Sequence, residues 1–275
     1  MPLLYESKHF FIPTWHVVVT IAIITAYLYA HSLREKFYPT LKKEILFESF
    51  LISYVTAYLG ARSLTILIEE APSSFYDFFS KLGQFGGLTF FGGLLAALFV
   101  QMIYLRKRKE EKKILFGIAG PSVLLGLSIG RIGCFLNGDD YGIPSSYWWS
   151  VSFPNHKDPI PRVPVQLLES FFVFLLVLFL YFIQKRKNSK PENLGLFSLR
   201  GYCVLRFFLE FLRDDNRGFW FGDLLSTSQV ICIFLLLMTV NLFKEKARPL
   251  LSCLKTKSKD LPSSKRNSTL KRRTG

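Results

Sequence analysis

Long apolar segments separated by short clusters of Lys and Arg constrain this chain more than any other feature of its sequence. Half of its 275 residues are hydrophobic and 28 are Phe, yet a fifth are charged. A mean hydropathy of +0.27 is compatible with that charge only when apolar and charged residues occupy separate blocks. Because a helix needs about 20 apolar residues to cross a bilayer, the sequence predicts an all-α integral membrane protein and excludes an ordinary soluble enzyme or a disulfide scaffold.

About seven transmembrane helices are predicted. The candidate spans are residues 11–30, 46–68, 85–105, 114–136, 165–184, 194–212 and 223–243. Basic residues concentrate in alternate loops, with six in RKRKEEKK after the third span and eleven from Lys244 onward. Because cytoplasmic loops carry the excess of Lys and Arg, we expect the N-terminus outside and the C-terminus in the cytoplasm.

The same pattern predicts the domain organisation. Residues 1–243 form the seven-span transmembrane domain, and residues 244–275 form a basic cytoplasmic tail that is expected to be disordered. The net charge of +15 then reflects the excess of Lys and Arg in the cytoplasmic loops and a basic tail that contacts anionic lipid headgroups. No nucleic-acid partner is expected. The start of the chain lacks a basic n-region and a small-residue cleavage site, so no cleavable signal peptide is predicted.

Charged side chains inside the apolar spans are the strongest functional signal. They include Arg62, Arg131, Glu169, Arg206 and Glu210. A charge at mid-bilayer costs roughly 3 kcal/mol or more, so each must face protein, water or a ligand. Internal ion pairs are one interpretation, and a cationic pocket for an anionic group is the other. We expect the arginines to outnumber the buried acids, which favours a pocket for a phosphate.

The spacing of Arg206, Glu210 and Arg213, four and three residues apart, predicts that they share one helix face.

Two glycine-rich stretches accompany these charges. GRIGCFLNGDDYG, residues 130–142, brings four polar residues to one place: Arg131, Asn137, Asp139 and Asp140. One interpretation is a functional site within the membrane, and the alternative is an ordinary helix end with turn glycines. GQFGGLTFFGG, residues 83–93, contains Gly92 and Gly93. These small residues are either part of a functional site or serve only the packing of one helix against another.

The residues that most often handle protons or metals are sparse. His16 is the one histidine inside a span, where it is either a packing residue or a proton acceptor. Four scattered cysteines without CxxC spacing predict neither a metal site nor a disulfide framework.

Together these motifs resemble the prolipoprotein diacylglyceryl transferase family of bacterial inner membranes. The most specific match is GRIGCFLNGDDYG, against a family pattern of about G-R-[IL]-G-N-F-[IL]-N-G-E-x-x-G. Supporting matches, in the family's order from Thr14 to about Phe243, are LGAR, GGLTFFGG, VPVQLLE, RFFLEFLR and STSQ. The resemblance implies a multi-pass protein of the inner membrane.

The resemblance also implies a reaction. A diacylglyceryl group moves from phosphatidylglycerol to the lipobox cysteine thiol of a prolipoprotein signal peptide, a thioether forms and glycerol phosphate leaves, without metal or soluble cofactor. Arg131 would bind the phosphate, Arg206 would be a second cation held by Glu210, and Asn137 and Asp139 would position the headgroup glycerol. The remaining candidates are His16 as a catalytic residue and Arg62, Gly92, Gly93, Gly142, Gln166 and Glu169 as substrate-binding residues.

Several positions depart from the family pattern. The motif His is Phe91, the Asn of GRxGN is Cys134, and the Glu of NGE is Asp139. In VPVQLLE the family's His and Tyr are Val163 and Leu168. With the motif His missing, His16 is a substitute base, or the chain is a non-catalytic paralogue that binds anionic phospholipid. An ion or solute transporter is the third hypothesis, and paired broken helices would favour it.

Overall fold

The computed structural model describes residues 3–6, 11–84, 90–153, 160–187, 190–214, 219–220 and 224–239. The chain forms two units, residues 1–216 and 217–275. The predicted tail, residues 244–275, lies outside the described residues.

Helices dominate the first unit. They are α1 (Thr14–Phe37), α2 (Lys43–Thr65), α3 (Phe75–Leu82), α4 (Phe90–Tyr104), α5 (Lys109–Asn137), α6 (Val165–Lys187) and α7 (Pro191–Leu209). A π-helical turn, Ile66–Glu70, extends α2, and a 3-10 turn, Glu210–Leu212, follows α7. A short hairpin of β1 (Leu3–Glu6) and β2 (Phe11–Pro13) precedes α1. In the second unit, β3 (Phe219–Trp220) pairs with β4 (Leu225–Ser226), and α8 spans Thr227–Thr239.

In the part of the chain that the structure describes, four helices are long and apolar enough to cross a membrane. They are Thr14–Phe37, Lys43–Ile68, Lys109–Asn137 and Val165–Lys185. Apolar side chains on the outside of the helices, such as Leu28, Phe99 and Phe179, are at least 60% exposed, as expected where lipid rather than water surrounds the protein. The predicted helical membrane fold is therefore confirmed. The count of seven spans stays a prediction, since the apolar helices Gly92–Tyr104 and Thr227–Thr239 are shorter.

The helix α5 is central to the packing, because it contacts α1, α6 and α7. One apolar cluster contains Leu33, Leu41 and Ile118, and a second contains Val173, Leu180 and Leu194 among others. The charged site described below lies where the last turns of α5 meet α6 and α7.

Glycine allows α2 and α4 to pack backbone to backbone. A Cβ on Gly92 would collide with the carbonyl oxygen of Gly60 and lie 2.7 Å from Cβ of Leu64, and one on Gly93 would lie 2.8 Å from the Ala57 oxygen. These contacts are those of small-residue helix packing, which accounts for Gly92 and Gly93 at the end of the second glycine-rich stretch.

Two boundaries differ from prediction. The first span begins as strand β2, and α1 then runs on to Phe37. At the sixth span α7 ends at Leu209, and Arg213 is extended, with φ −95° and ψ 146°. The prediction that Arg213 shares a helix face with Arg206 and Glu210 is therefore wrong. The chain leaves the helix there to pair with the loop after α5, through the bridge between Gly142 and Arg213.

Candidate phosphate and headgroup site

The C-terminus of α5 folds the polar end of GRIGCFLNGDD back toward its arginine. Gly138 has φ 80°, a left-handed conformation that glycine adopts without steric cost. The amides of Gly138 and Asp139 both donate to the Cys134 carbonyl, at 3.0 and 3.3 Å. Asp140 is also left-handed, with φ 60°. This turn places the Asp140 carboxylate against the guanidinium of Arg131, about two helical turns upstream.

Asp140 is held by two arginines from different segments. Its Oδ2 lies 2.5 Å from Nη1 of Arg131, and its Oδ1 lies 2.5 Å from Nη2 of Arg213. Its side chain keeps 24% of its surface exposed, against 12% for Arg131 and 3% for Arg213. The two guanidinium groups therefore converge on one anionic group that remains partly accessible.

Glu169 on α6 joins the second pair of arginines. Its Oε2 lies 2.9 Å from Nε of Arg131 and 2.9 Å from Nη1 of Arg206, and its side chain is completely buried. The contact with Arg131 is an ion pair without linear hydrogen-bond geometry, since that Nε has no hydrogen-bond partner among the described residues. The hydroxyl of Tyr202 donates to Glu169 Oε1 at 3.1 Å. Two cations and a hydroxyl thus stabilise a carboxylate that burial would otherwise disfavour.

Arg206 is also paired with Glu210, at 2.7 Å, as predicted. The contacts therefore form one chain of alternating charge: Arg213, Asp140, Arg131, Glu169, Arg206, Glu210. Three arginines face three carboxylates in it. Glu169 and Glu210 are buried, whereas the third carboxylate, Asp140, keeps 24% of its side-chain surface exposed. The arginines therefore outnumber the buried acids of this cluster, as expected.

Acceptor atoms gather beside this chain of charges. The side-chain amide of Asn137 donates to Asp139 Oδ2 at 2.9 Å, and that of Gln166 donates to the Asp139 carbonyl oxygen at 2.5 Å. Within the described part of the chain, the buried oxygens Asn137 Oδ1 and Gln166 Oε1 have no hydrogen-bond partner. Burial raises the pKa of the Asp139 carboxyl, and the Asn137 amide opposes that rise. The arrangement suits a ligand that donates hydroxyl hydrogens.

Gly142 lies in a layer of loop segments over this site. Its amide donates to the Val163 carbonyl oxygen at 3.1 Å, and a Cβ there would lie 2.5 Å from that oxygen and 2.7 Å from the Leu212 oxygen. Close backbone approach therefore requires glycine at this position, and the predicted part of Gly142 in substrate binding stays a prediction.

Arg62 belongs to a different cluster. It is 2% exposed, pairs with Glu70 of the π-helical turn and donates to the Lys81 carbonyl oxygen at 3.0 Å. Lys81 in turn donates to the Glu70 carbonyl oxygen at 3.2 Å. These contacts join the end of α2 to α3, so they give Arg62 a structural function, and its predicted part in substrate binding stays a prediction.

His16 is the candidate substitute base, and Phe91 and Cys134 are two of the positions that depart from the family pattern. His16 is exposed on the first turn of α1, its ring 5.1 Å from that of Trp15. The side chain of Phe91 lies outside the described residues. Cys134 is half-buried, and its Sγ lies 3.9 Å from Nη1 of Arg131.

Sequence reasoning missed the part that Tyr202 plays in the site. Tyr202 lies four residues before Arg206 on α7, a spacing that places both side chains on one face and that could have indicated the contact with Glu169.

Comparisons with known proteins agree with the motifs. A family model described as prolipoprotein diacylglyceryl transferase matches residues 2–244. The phosphatidylglycerol–prolipoprotein diacylglyceryl transferase of Rickettsia canadensis is 29% identical over 247 residues, covering 88% of this chain and 95% of that protein. The protein of the same name in Rickettsia felis is 28% identical over 243 residues, covering 86% and 93%. The one in Methylococcus capsulatus is 36% identical over 160 residues, covering 57% and 60%. These matches confirm the predicted resemblance.

Proposed function

The chain belongs to the prolipoprotein diacylglyceryl transferase family, and from this premise we propose that it transfers a diacylglyceryl group from phosphatidylglycerol to the lipobox cysteine thiol of prolipoproteins. The sulfur would form a bond to the diacylglyceryl carbon that carries the phosphate. The carbon–oxygen bond to that phosphate would break, its electrons leaving with glycerol phosphate, and the thiol proton would pass to an acceptor. The product is a thioether.

The observation that carries the proposal is the position of Asp140 between Arg131 and Arg213, at 2.5 Å from each. A carboxylate that pairs with two guanidinium groups occupies the position that a phosphate would take, since both anions accept hydrogen bonds from the same donors. Asp140 is the most exposed carboxylate of the three in the cluster, at 24% against 4% for Glu210 and 0% for Glu169. We infer that the lipid phosphate displaces it and binds both arginines.

The buried carboxylates then act as supports. Glu169 fixes Arg131 and Arg206, and Glu210 fixes Arg206, so the cations are oriented before substrate binds. A guanidinium has five N–H donors, and its carboxylate contacts use only part of them. Charge grows on the phosphate as the carbon–oxygen bond breaks, and preorganised cations lower the barrier by stabilising that charge.

The acceptors beside this site match the other half of the headgroup. Asn137 Oδ1, Gln166 Oε1 and the Asp139 carboxylate can each accept a hydrogen from a glycerol hydroxyl. The raised pKa of Asp139 also makes it a better proton acceptor for a thiol than an ordinary aspartate. We propose Asp139, which is held by the side-chain amides of Asn137 and Gln166, as one acceptor for the thiol proton and His16, exposed at the start of α1, as the alternative.

The setting follows from the family and the charge pattern. We propose a multi-pass protein of the bacterial inner membrane with seven spans, the N-terminus outside, the C-terminus in the cytoplasm and residues 244–275 as its basic tail. The four long apolar helices support the membrane assignment, and the loops rich in Lys and Arg support the orientation.

The test is thioether formation in phosphatidylglycerol vesicles with a lipobox peptide, together with complementation of a strain depleted of its own transferase. Arg131→Ala should abolish the product, since it removes the cation that contacts both Asp140 and Glu169. Arg34→Ala, which loses an arginine at the far end of α1, is the matched control and should remain active. Full activity of Arg131→Ala would refute the assigned role.

A non-catalytic paralogue would bind phosphatidylglycerol without releasing glycerol phosphate. The full-length relatives that carry the transferase name do not favour it, and the same vesicle assay decides the matter by measuring glycerol phosphate.

A further inference from the structure

Arg162 is a buried arginine that neither the motifs nor the reaction accounts for. It is 5% exposed and lies in the loop that precedes α6. Its backbone amide and carbonyl both pair with Val151, at 2.9 Å each. A guanidinium buried to this extent must be compensated by paired acceptors, so its contacts define what it does.

Those contacts join two segments that are distant in sequence. Nη1 of Arg162 lies 2.5 Å from Oδ2 of Asp214 and donates to the Gly142 carbonyl oxygen at 3.2 Å. The guanidinium carbon is 4.7 Å from the centre of the Tyr141 ring. One side chain thus holds residues 141–142, after α5, against residue 214, after α7.

Each of these two segments also contains one residue of the candidate phosphate site, directly next to a residue that Arg162 contacts. Asp140 precedes Tyr141, and Arg213 precedes Asp214. The backbones are also in register, with Ile143 N donating to the Leu212 oxygen at 3.0 Å and Asp214 N to the Tyr141 oxygen at 3.4 Å. A shift of either segment would separate Arg213 from the place where Arg131 meets Asp140.

We propose that Arg162 is a positioning residue for the transfer reaction: it fixes the two loop segments so that Arg131 and Arg213 face one anion. It contacts no reacting atom and acts through Asp214 and Gly142. The expected effect of Arg162 on the transfer reaction rests on the proposed function. Its positioning of the two loop segments rests on the contacts of Arg162 alone.

The experiment uses the full chain in phosphatidylglycerol vesicles and compares Arg162→Met, Arg162→Lys and Asp214→Asn with wild type. Arg34→Met is the matched control, because the Arg34 Nε also binds a backbone carbonyl oxygen, that of Leu41, at 2.7 Å. For each protein, kcat and the KM for phosphatidylglycerol are measured per folded molecule. The second readout is the rate at which N-ethylmaleimide alkylates Cys134, followed on the Cys134 peptide by mass spectrometry.

A misplacement of about 1 Å can reduce a rate on the order of a hundredfold. We expect Arg162→Met to raise KM and lower kcat, together reducing kcat/KM on the order of tenfold to a hundredfold, and to accelerate alkylation of Cys134. Asp214→Asn should change both readouts in the same direction, Arg162→Lys should restore part of each, and Arg34→Met should change neither.

The proposal is overturned if the Arg162 and Asp214 variants lower thermal stability but keep wild-type kcat, KM and alkylation rate per folded molecule, which is the behaviour of a purely structural anchor. If Arg162→Met does not fold, Asp214→Asn and Arg162→Lys decide the question by the same criteria. A wild-type protein that forms no thioether would refute the proposed function instead. The alkylation rates would then still decide whether Arg162 fixes the Arg131 region, and unchanged rates would overturn the inference.

Discussion

Nε of Arg131 lies 2.9 Å from Oε2 of Glu169, a carboxylate with no exposed surface. The arginine comes from α5 and the glutamate from α6, and the same glutamate oxygen lies 2.9 Å from Arg206 on α7. A single buried carboxylate therefore sets the orientation of two cations from two helices, and the site depends on how those three helices pack.

Replacement of Glu169 by Gln should impair both stability and activity. Removing one partner of a buried ion pair costs about 3–5 kcal/mol, because the remaining charge is left uncompensated. We expect a fall of that order in the free energy of unfolding and a loss of most thioether formation. Denaturant unfolding in detergent and the vesicle assay measure the two effects. Glu35→Gln, at an exposed carboxylate on α1, is the control; equal behaviour of the two variants would contradict the supporting role of Glu169.

Replacement of Asp140 by Asn should strengthen binding of phosphatidylglycerol. Asn tolerates the left-handed backbone at this position, so the fold should be kept while the competing carboxylate is removed. We expect the KM for phosphatidylglycerol to fall by about tenfold, which corresponds to 1.4 kcal/mol. The measurement is initial rate against lipid fraction, with Asp77→Asn on α3 as the control. A higher KM would mean that Asp140 helps to bind the lipid rather than occupying its place.

The carboxyl of Asp139 should make stability fall as pH rises. Burial raises its pKa above the ordinary value of 3.8, so the folded protein binds this proton more tightly than the unfolded chain does. The stabilisation is complete below the unfolded-state pKa and is lost as pH rises through the folded-state pKa. We expect the melting temperature of wild type to decline more over this interval than that of Asp139→Asn.

The carboxyl of Asp77 should make stability change with pH in the opposite direction. Hydrogen bonds from the Ser73 backbone and then from Lys81 lower the pKa of its carboxyl, so its stabilisation is lost as pH falls. Asp77→Asn should therefore flatten the acid side of the same melting curve. Identical pH profiles for wild type and Asp139→Asn would show that the Asp139 carboxyl does not contribute.

Replacement of Gly92 by Ala should separate α2 from α4. The added Cβ would collide with the Gly60 carbonyl oxygen, and overpacking of this kind typically costs about 1–3 kcal/mol. Gly130→Ala on α5 is the matched control, because among the described residues no atom outside the adjoining backbone of its own helix lies within 4 Å of the Cβ it would gain. It should instead stabilise the helix by about 0.4–1 kcal/mol. Thermal unfolding in detergent measures both, and a neutral Gly92→Ala would contradict the close packing.

Much of the fold could be predicted from local properties of the sequence. The apolar segments of α1, α2, α5 and α6 are long enough to identify themselves as membrane helices, because the requirement for internal backbone hydrogen bonds in lipid leaves few other structures. The motif around Arg131 likewise identified the family, and Arg206 with Glu210 was predicted from their spacing on one helix. These features depend on neighbours within a few residues.

The charge balance of the site was decided only by the tertiary structure. Asp140 reaches Arg131 because Gly138 reverses the chain. Arg213 reaches Asp140 because the chain becomes extended after the 3-10 turn that ends at Leu212. Arg62, which lies in an apolar segment as Arg131 does, pairs instead with Glu70 and donates to the Lys81 carbonyl oxygen. Periodicity places a residue on one face of its own helix, whereas the partner of a buried charge is set by which helices and loops pack together. That choice depends on the summed packing of distant segments, and no local pattern encodes it.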